Sequence, residues 1–593
     1  MKPIVDILEQ RVSLVMTDIA GEPVPAIVKP THGPKSSDYQ ANGVMGLAKK
    51  LKQNPRQLAQ KIVDNLDLAD ICETPEIAGP GFINLRLRTD WLAERLAEAI
   101  KDKERLGVDP LGEAPVTVVD FSSPNIAKQM HVGHLRSTII GDVIARVLEF
   151  WYGDENTSDG NPEKKVIRQN HVGDWGTQFG MLTRYLDYQR LQTPGPQYLG
   201  IADMEKFYRE AKSRFDSDPQ FAQQSREYVV KLQSGDSHVM FDWQVIKKSS
   251  LNHCQEIYDK LNVKLTWDNI RGESFYNDKL PSVISDLSVA NLLQESDGAQ
   301  CVFMDGFKTK EGEPLPLIVQ KTDGAYLYAT TDLAAIRFRV DKLKADRVIY
   351  VTDARQKLHF EMVFACARRA DWAAEDVKLE HVPFGSVMGD DGRPFKTRSG
   401  ENIKLKDLLD EAEKRARKIV DEKNPDLDEF LKKEIAKAVG IGAVKYADLS
   451  NNLVSDYVFN WDKMLAMDGN TAPYMQYAYA RVRSIFRKGG VNEDDLLNED
   501  HSLVLTEPDE LALAKLLLRF GEVVEIVARD LRPHLLTNYL FGLARAFSGF
   551  YTNCPVLKAE PSARTSRLLL CYQTARTIQR GLGLLGIETI EQM

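Results

Sequence analysis

The sequence predicts a three-part chain: a central α/β domain on a parallel, Rossmann-like sheet, a small α+β module before it, and an all-α domain after it. Three observations predict this. Strand-like and helical patterns alternate from about residue 108 to 403, strand signals stop near residue 404, and the Pro/Gly-bearing joint GVDPLGEAP (107–115) sets off an N-terminal stretch. The expected boundaries are 1–107, 108–403 and 404–593.

Taken in order, MKPIVDILEQRVSLVM reads as an amphipathic helix, without the continuous apolar core or cleavage site of a leader. Helices are expected at 46–51 and 55–66, a strand in GPGFINLRLR (79–88), and a helix at 91–106. On such a strand Phe82 and Asn84 share one face. VTVVDF (116–121) is a short apolar strand, and 134–151 follows with Leu135, Ile139, Ile140, Val143, Ile144, Val147 and Leu148 at helical spacing. RVIYVT (347–352) and HVPFGSVM (381–388) are further strands, and 193–235 reads as a polar helical insertion. A strand at 325–329 carries Tyr328 into a helix at 331–340. Helical patterns then cover 407–420, 432–447, 474–487, 511–529, 535–550 and 563–585. In the fifth of these, Tyr539, Leu540, Leu543, Ala544 and Phe547 read as core.

The 593 residues exceed one core, and 43% hydrophobic with 27% charged residues is the composition of a soluble protein. No apolar run approaches the ~18 residues of a membrane span. The six cysteines are scattered, form no CxxC and have no histidine at zinc spacing, so buried thiols in a reducing cytoplasm are expected and a structural zinc is not. The net charge of −9 weighs against nucleic-acid binding, but from Leu511 onward ten Lys/Arg face six Asp/Glu. Phosphate attraction acts over roughly a Debye length of ~8 Å, so a basic patch on an acidic protein suffices.

The strongest local feature is DFSSPNIAKQMHVGHLRSTIIGD, Asp120 to Asp142, at the junction of a strand and a helix. Pro124 keeps the loop out of helix, and His131 and His134 flank Gly133 where the helix begins. Free N–H groups at a helix start favour phosphate, two imidazoles add donors, and Gly133 without Cβ lets an adenine ring approach its backbone.

HVGH in this setting resembles the HIGH signature of class I aminoacyl-tRNA synthetases, and the wider string resembles the arginyl family. GESFY (272–276), YATTDLAA (328–335), VTDARQKLHF (351–360), GRPFKTRSG (392–400), NTAPYMQYAYAR (470–481) and the closing LLGIETIEQM are similar to that family in its order. The chain departs at the second signature, KMSKS: the loop reads DDGRPFKTRSG, and its register leaves open which of Lys396 and Arg398 replaces the second lysine. Lys128, three residues before His131, is a compensating cation.

The resemblance implies an arginine–tRNA ligase that activates arginine with ATP and passes it to the 3′ end of its tRNA. No covalent nucleophile is needed; catalysis is positioning and charge stabilisation by Lys128, His131, His134, Lys396 and Arg398. ATP would meet His131, Gly133, His134, Asp353, Met388 and Lys396, with Mg²⁺ carried by its phosphates. A guanidinium calls for carboxylates and planar acceptors; the family pattern assigns Tyr328, Asp332 and Glu273 to it, and Asp120, Asn125 and Gln356 to the α-amino and carboxylate ends. The resemblance also implies an N-terminal module that reaches the tRNA elbow through Phe82 and Asn84. A helical anticodon domain follows, with Tyr474, Gln476, Tyr477 and Arg481 together offering stacking faces and a cation. A monomer is expected, with arginine activation that requires bound tRNA. Nucleotidylyltransferases share HxGH but not the long helical domain, and a non-catalytic homologue would have lost the histidines or the cationic loop.

Overall fold

The structure, a computed structural model, describes residues 1–31, 37–157, 161, 163–192, 204–395, 403–498 and 503–593. Lys396, Arg398 and the start of the expected insertion lie outside the described residues.

The N-terminal helix Ile4–Ala20 buries Leu8, Val12 and Met16 at helical spacing and stops at Gly21, whose φ of 74° suits glycine. Asn54 caps the helix Pro55–Asp64 by accepting from the Arg56 and Gln57 N–H groups. These helices cover an antiparallel sheet in the order Val28–Pro30, Tyr39–Ala41, Phe82–Leu85, Glu76–Ala78. Ile83 and Leu85 face its core, while Phe82 and Asn84 share the outer face, where Gln40 donates to Asn84 Oδ1 at 2.7 Å. The helix Thr89–Lys101 leads out of the module.

Four parallel strands form the central sheet, in the order Lys378–Phe384, Arg347–Asp353, Thr117–Asp120, Val166–Gln169. The chain leaves Thr117–Asp120 toward one edge and Arg347–Asp353 toward the other. The reversal between these two strands opens a crevice at their carboxyl ends, the ligand position of open α/β sheets. The helix Val132–Tyr152 runs from that crevice and is buried along most of its length, because C-terminal helices cover the face away from the sheet. A Cβ on Gly141 would meet the Phe121 side chain at 2.1 Å, so glycine there lets the helix lie against the strand exit.

Between Val166–Gln169 and Arg347–Asp353 come the helices Thr177–Gln192, Met204–Ser217, Pro219–Gln233 and Ser237–Lys260, then a three-stranded antiparallel sheet of Leu293–Ser296, Ala299–Lys308 and Pro314–Gln320. The C-terminal part holds the helices Leu405–Lys423, Glu429–Leu449, Ala472–Gly489, Pro508–Leu518, Phe520–Asp530, His534–Asn553 and Pro561–Leu584. Tyr539, Leu540, Leu543, Ala544 and Phe547 are core. The N-terminal module docks here: buried Glu522 accepts from the Tyr39 hydroxyl at 2.5 Å and the Val5 N–H at 3.1 Å, and Lys515 pairs with Asp38 at 2.7 Å.

Three expectations need correction. The stretch 325–329 is not a strand: Tyr328 opens the helix Tyr328–Arg337, because the Ala-rich run that follows carries the helix past the aromatic and threonine residues that suggested a strand. The helix expected over 511–529 is two, Pro508–Leu518 and Phe520–Asp530; the turn at Arg519 leaves the apolar spacing intact while it carries Glu522 to Tyr39. The strand expected over 381–388 ends at Phe384, and Val387–Met388 pairs instead with Tyr457–Val458, a strand inside the region expected to have none.

Candidate active site and RNA-facing surfaces

His131 is the N-cap of the Val132–Tyr152 helix, and the two histidines close a reciprocal capping box. His131 Nδ1 accepts the Gly133 N–H and His134 Nδ1 accepts the His131 N–H, each at 3.1 Å, with ring centroids 4.1 Å apart. An Nδ1 that accepts leaves the proton on Nε2, so each ring offers an Nε2–H donor. Burial, then the neighbouring charges, lowers both pKa values: His131 below its ordinary value and His134 to about 3. The pair is neutral at pH 7. Exposed Lys128 supplies the local positive charge.

The cationic loop is anchored at both described ends, the second of them beside these histidines. Phe395 stacks on Phe459 at 4.6 Å, and after the loop the Ile403 carbonyl accepts the Val132 N–H at 2.9 Å while the Leu405 N–H reaches Met130 at 3.1 Å. Arg136, buried one helical turn in, donates to the Gly385 carbonyl at 2.7 Å and pairs with Asp448 of the Glu429–Leu449 helix at 3.0 Å. One guanidinium thus joins the histidine-bearing helix, the strand that leads to the loop, and the C-terminal helices.

Across the crevice stands a group of carboxylates. Asp174, fully buried, is held by Lys247 at 2.5 Å and by the Ser274 N–H at 2.8 Å and hydroxyl at 2.6 Å. A Cβ on Gly272 would strike that carboxylate at 2.5 Å, which explains the glycine of GESFY. Glu273 comes next; burial first, then Asp174 and Asp332, pushes its carboxyl up to about 7. The same carboxyl raises the pKa of Tyr328, whose ring is 70% exposed at the helix start. Asp332 Oδ2 accepts from His359 Nε2 at 2.6 Å. Glu273, Tyr328 and Asp332 are therefore brought together.

The other expected pocket residues line the crevice with prior partners. Asp120 Oδ2 takes Arg339 Nη2 at 2.6 Å and Oδ1 takes the Ser123 hydroxyl at 3.0 Å, so an incoming ammonium would share a carboxylate already paired. Asn125 Oδ1 caps the Ala127 N–H at 3.0 Å. Asp353 ends its strand with both oxygens on the Arg355 guanidinium, at 2.8 and 2.7 Å; burial alone would raise its pKa, but those bonds hold it low. Gln356 is exposed at the rim, and Met388 is half-buried ahead of the cationic loop.

A second surface lies on the C-terminal helices. A groove of about 560 Å³ is lined by Tyr477, Arg481, Arg487, Lys488, Tyr551 and Met593, among others. Arg481 sits over the Tyr551 ring at 4.6 Å, and Tyr477 is 39% exposed. Gln476 does not reach this surface: it is fully buried and donates to the carbonyls of Ala438 and Glu588, a correction to its expected RNA contact. Tyr474 packs on Phe541. One helical step places Tyr477, not Gln476, outward.

Sequence reasoning missed Asp174, Lys247, His359, Arg339 and Tyr551. His359 stood inside the quoted VTDARQKLHF; the others become visible only through partners far along the chain. All six cysteines are buried as free thiols, and among the described residues no group of three or more His, Cys, Asp or Glu could hold a metal ion. No helix among them is long and apolar enough to cross a membrane.

A parallel-sheet crevice with a histidine-capped helix, followed by a helical domain, defines a class of protein, and residues 95–461 match the family model for the class I (R) tRNA synthetase catalytic domain. This is a class I aminoacyl-tRNA synthetase. Residues 3–87 match the arginyl-tRNA synthetase N-terminal domain and 475–593 the DALR anticodon-binding domain. The chain is 52% identical to the arginine–tRNA ligase of Hahella chejuensis over 99% of each chain, and 54% identical to that of Laribacter hongkongensis over 96% of each. Among solved structures, arginyl-tRNA synthetase from Plasmodium falciparum superposes with a TM-score of 0.83 at 31% identity. The Thermus thermophilus enzyme does so with 0.82 at 26%, and both cover 100% of each chain. The chain belongs to the arginyl-tRNA synthetase family.

Proposed function

We propose that the chain is an arginine–tRNA ligase that works through the residues described above: arginine and ATP give arginyl-adenylate and pyrophosphate, and tRNA(Arg) then takes the arginyl group at its 3′ end, releasing AMP. The observation that carries the reading is that the carboxyl end of one parallel sheet has both a helix start capped by His131 and His134, each with an Nε2–H donor, and the carboxylates of Glu273 and Asp332 near Asp120. The arginine carboxylate attacks the α-phosphorus in line and pyrophosphate departs. Lys128 and the two histidines, with Lys396 and Arg398, meet the charge that builds on the leaving oxygens. Gly133, Asp353 and Met388 border the nucleotide; Asp120, Asn125 and Gln356 border the amino-acid backbone. Mg²⁺ travels with ATP, held by its phosphates, since the residues beside the histidines are cationic rather than carboxylate-rich. No zinc takes part.

RNA is held at two places in this reading. Phe82 and Asn84 take the tRNA elbow from the 1–107 module, and the Tyr477–Arg481–Tyr551 groove takes the anticodon arm on the 404–593 domain, with Tyr474 on the helix that carries Tyr477 and Arg481; 108–403 is the catalytic domain. All these groups lie on one chain, which supports a monomer, and the reducing cytoplasm suits its six free thiols. ATP–pyrophosphate exchange with each of the twenty amino acids, with and without tRNA, tests the reading: arginine alone should support exchange. Exchange driven by another amino acid would refute it.

A further inference from the structure

We infer that His359 is a positioning residue that sets specificity in the arginine pocket, because its Nε2–H bond to Asp332 Oδ2 fixes the direction in which the Asp332 carboxylate meets the guanidinium. The inference rests on the reading of Asp332 as a guanidinium ligand and goes one layer behind it.

Asp332 lies near the start of the Tyr328–Arg337 helix, where a short carboxylate has competing partners in the free N–H groups of the first turn. Its side chain is only 19% exposed, yet among the described residues its hydrogen bond comes from a different helix, Lys357–Arg369, and not from its own. The donor has a fixed base. His359 meets the ring of Phe360 edge-on at 5.4 Å, and Phe360 is buried against Tyr350 at 4.9 Å and His381 at 5.0 Å. A carboxylate can only accept, so the bond holds the imidazole in the tautomer with its proton on Nε2.

The neighbouring carboxylates share a pattern that this bond completes. Asp174 is tethered by Lys247 and Ser274, and Asp332 is tethered by His359. Glu273 has no such side-chain tether among the described residues; its bond is to the Trp175 backbone. Two carboxylates are thus fixed in direction and one is left to answer the ligand. A guanidinium is planar and its donors form a rigid fork, so the direction of a carboxylate decides whether two parallel bonds form or one. Aim matters more here than it would for the point charge of a lysine substrate.

The test is steady-state exchange with three variants of His359, each checked for unchanged melting temperature. His359→Ala should raise the arginine KM about tenfold, or about 1.4 kcal/mol, with the ATP KM unchanged. His359→Gln, whose amide nitrogen can take the place of Nε2, should restore the arginine KM to about twofold of wild type. His359→Asn, whose amide falls short, should not. An arginine KM in His359→Ala that is unchanged would overturn the inference, and one that is lower would show His359 to be an occupant that arginine displaces. Asp332→Asn separates the two layers. If it keeps a wild-type arginine KM, the guanidinium reading fails; if it loses arginine while His359→Ala does not, only the positioning role fails.

Discussion

His131 and His134 cap one helix end by bonding across each other: the backbone N–H of His131 donates to Nδ1 of His134, while His131 Nδ1 takes the Gly133 N–H, both at 3.1 Å. The capping bonds occupy both Nδ1 nitrogens, so the same contacts that start the helix put the proton on Nε2, the donor that the proposed phosphate role calls for.

His134→Asn separates the two tasks, because the shorter amide keeps an acceptor for the His131 N–H and loses the outer donor. Exchange should fall about 10²–10³-fold, the scale of removing one charge-stabilising donor, with the fold retained. The pH dependence of stability has a definite sign. The folded-state pKa of His134, lowered to about 3, lies below the unfolded value near 6.5, so below pH 6.5 the unfolded chain binds more protons and stability falls. The variant should lose less Tm than wild type between pH 6.5 and 4. An equal loss would mean that His134 is charged in the folded protein.

Glu273 titrates in the other direction. Its carboxyl, raised to about 7, is protonated in acid and must ionise to meet a guanidinium, so the arginine KM should climb as pH falls below 7. Its contribution to stability is fully present below the unfolded pKa near 4.5 and is lost as pH rises through 7. Glu273→Gln should therefore melt higher than wild type at pH 8 and at the same temperature at pH 4.5, with a high arginine KM that no longer follows pH. A Tm difference that persists at pH 4.5 would contradict the assignment.

Asp332→Ala should abolish arginine use while ATP binding is nearly intact. Removal of one partner of a half-buried charge pair costs roughly 3–5 kcal/mol. Direct ATP binding by calorimetry and arginine-dependent exchange measure the two effects; unchanged arginine kinetics would sink the assignment.

Much of this site was legible in the sequence because its parts are local. Strand, Pro124 loop, capping histidines and buried helix all fall within Thr117–Tyr152, where periodicity and capping rules act over a few residues. Pairings across the fold were not legible. Arg339 reaches Asp120 from 219 positions away and Lys247 reaches Asp174 across the helical insertion, and neither leaves a periodic trace. Tyr328 misled because an aromatic followed by threonines reads as strand, whereas the alanines after Asp332 decide for helix. Gln476 misled because one step around the Ala472–Gly489 helix separates a buried residue from an exposed one, and the motif alone does not say which face is covered.

The two surfaces proposed to hold RNA should act independently of the chemistry. Phe82→Ala and Tyr477→Ala should each raise the tRNA KM by about 1–3 kcal/mol, the value of one base stack, with arginine and ATP constants unchanged. The double variant should be additive, since the sites lie in separate domains. A wild-type tRNA KM in either, with normal folding, would return that side chain to a structural role.

Arg136 bonds at once to Gly385, ahead of the cationic loop, and to Asp448 on the C-terminal helices; in the proposed reading this link couples RNA docking to the loop. Arginine activation should therefore depend on tRNA. Nuclease-treated enzyme should show little arginine-dependent exchange, and added tRNA(Arg) should restore it. Robust exchange without RNA would mean the loop is already arranged.

The central claim is tested most directly by charging. Purified protein, ATP–Mg²⁺, a tRNA(Arg) transcript and radiolabelled arginine should yield arginine bound to the tRNA 3′ end, one AMP per arginine transferred, and no product with His134→Asn. Absence of charged tRNA from folded enzyme, or equal charging by another amino acid, would contradict the account.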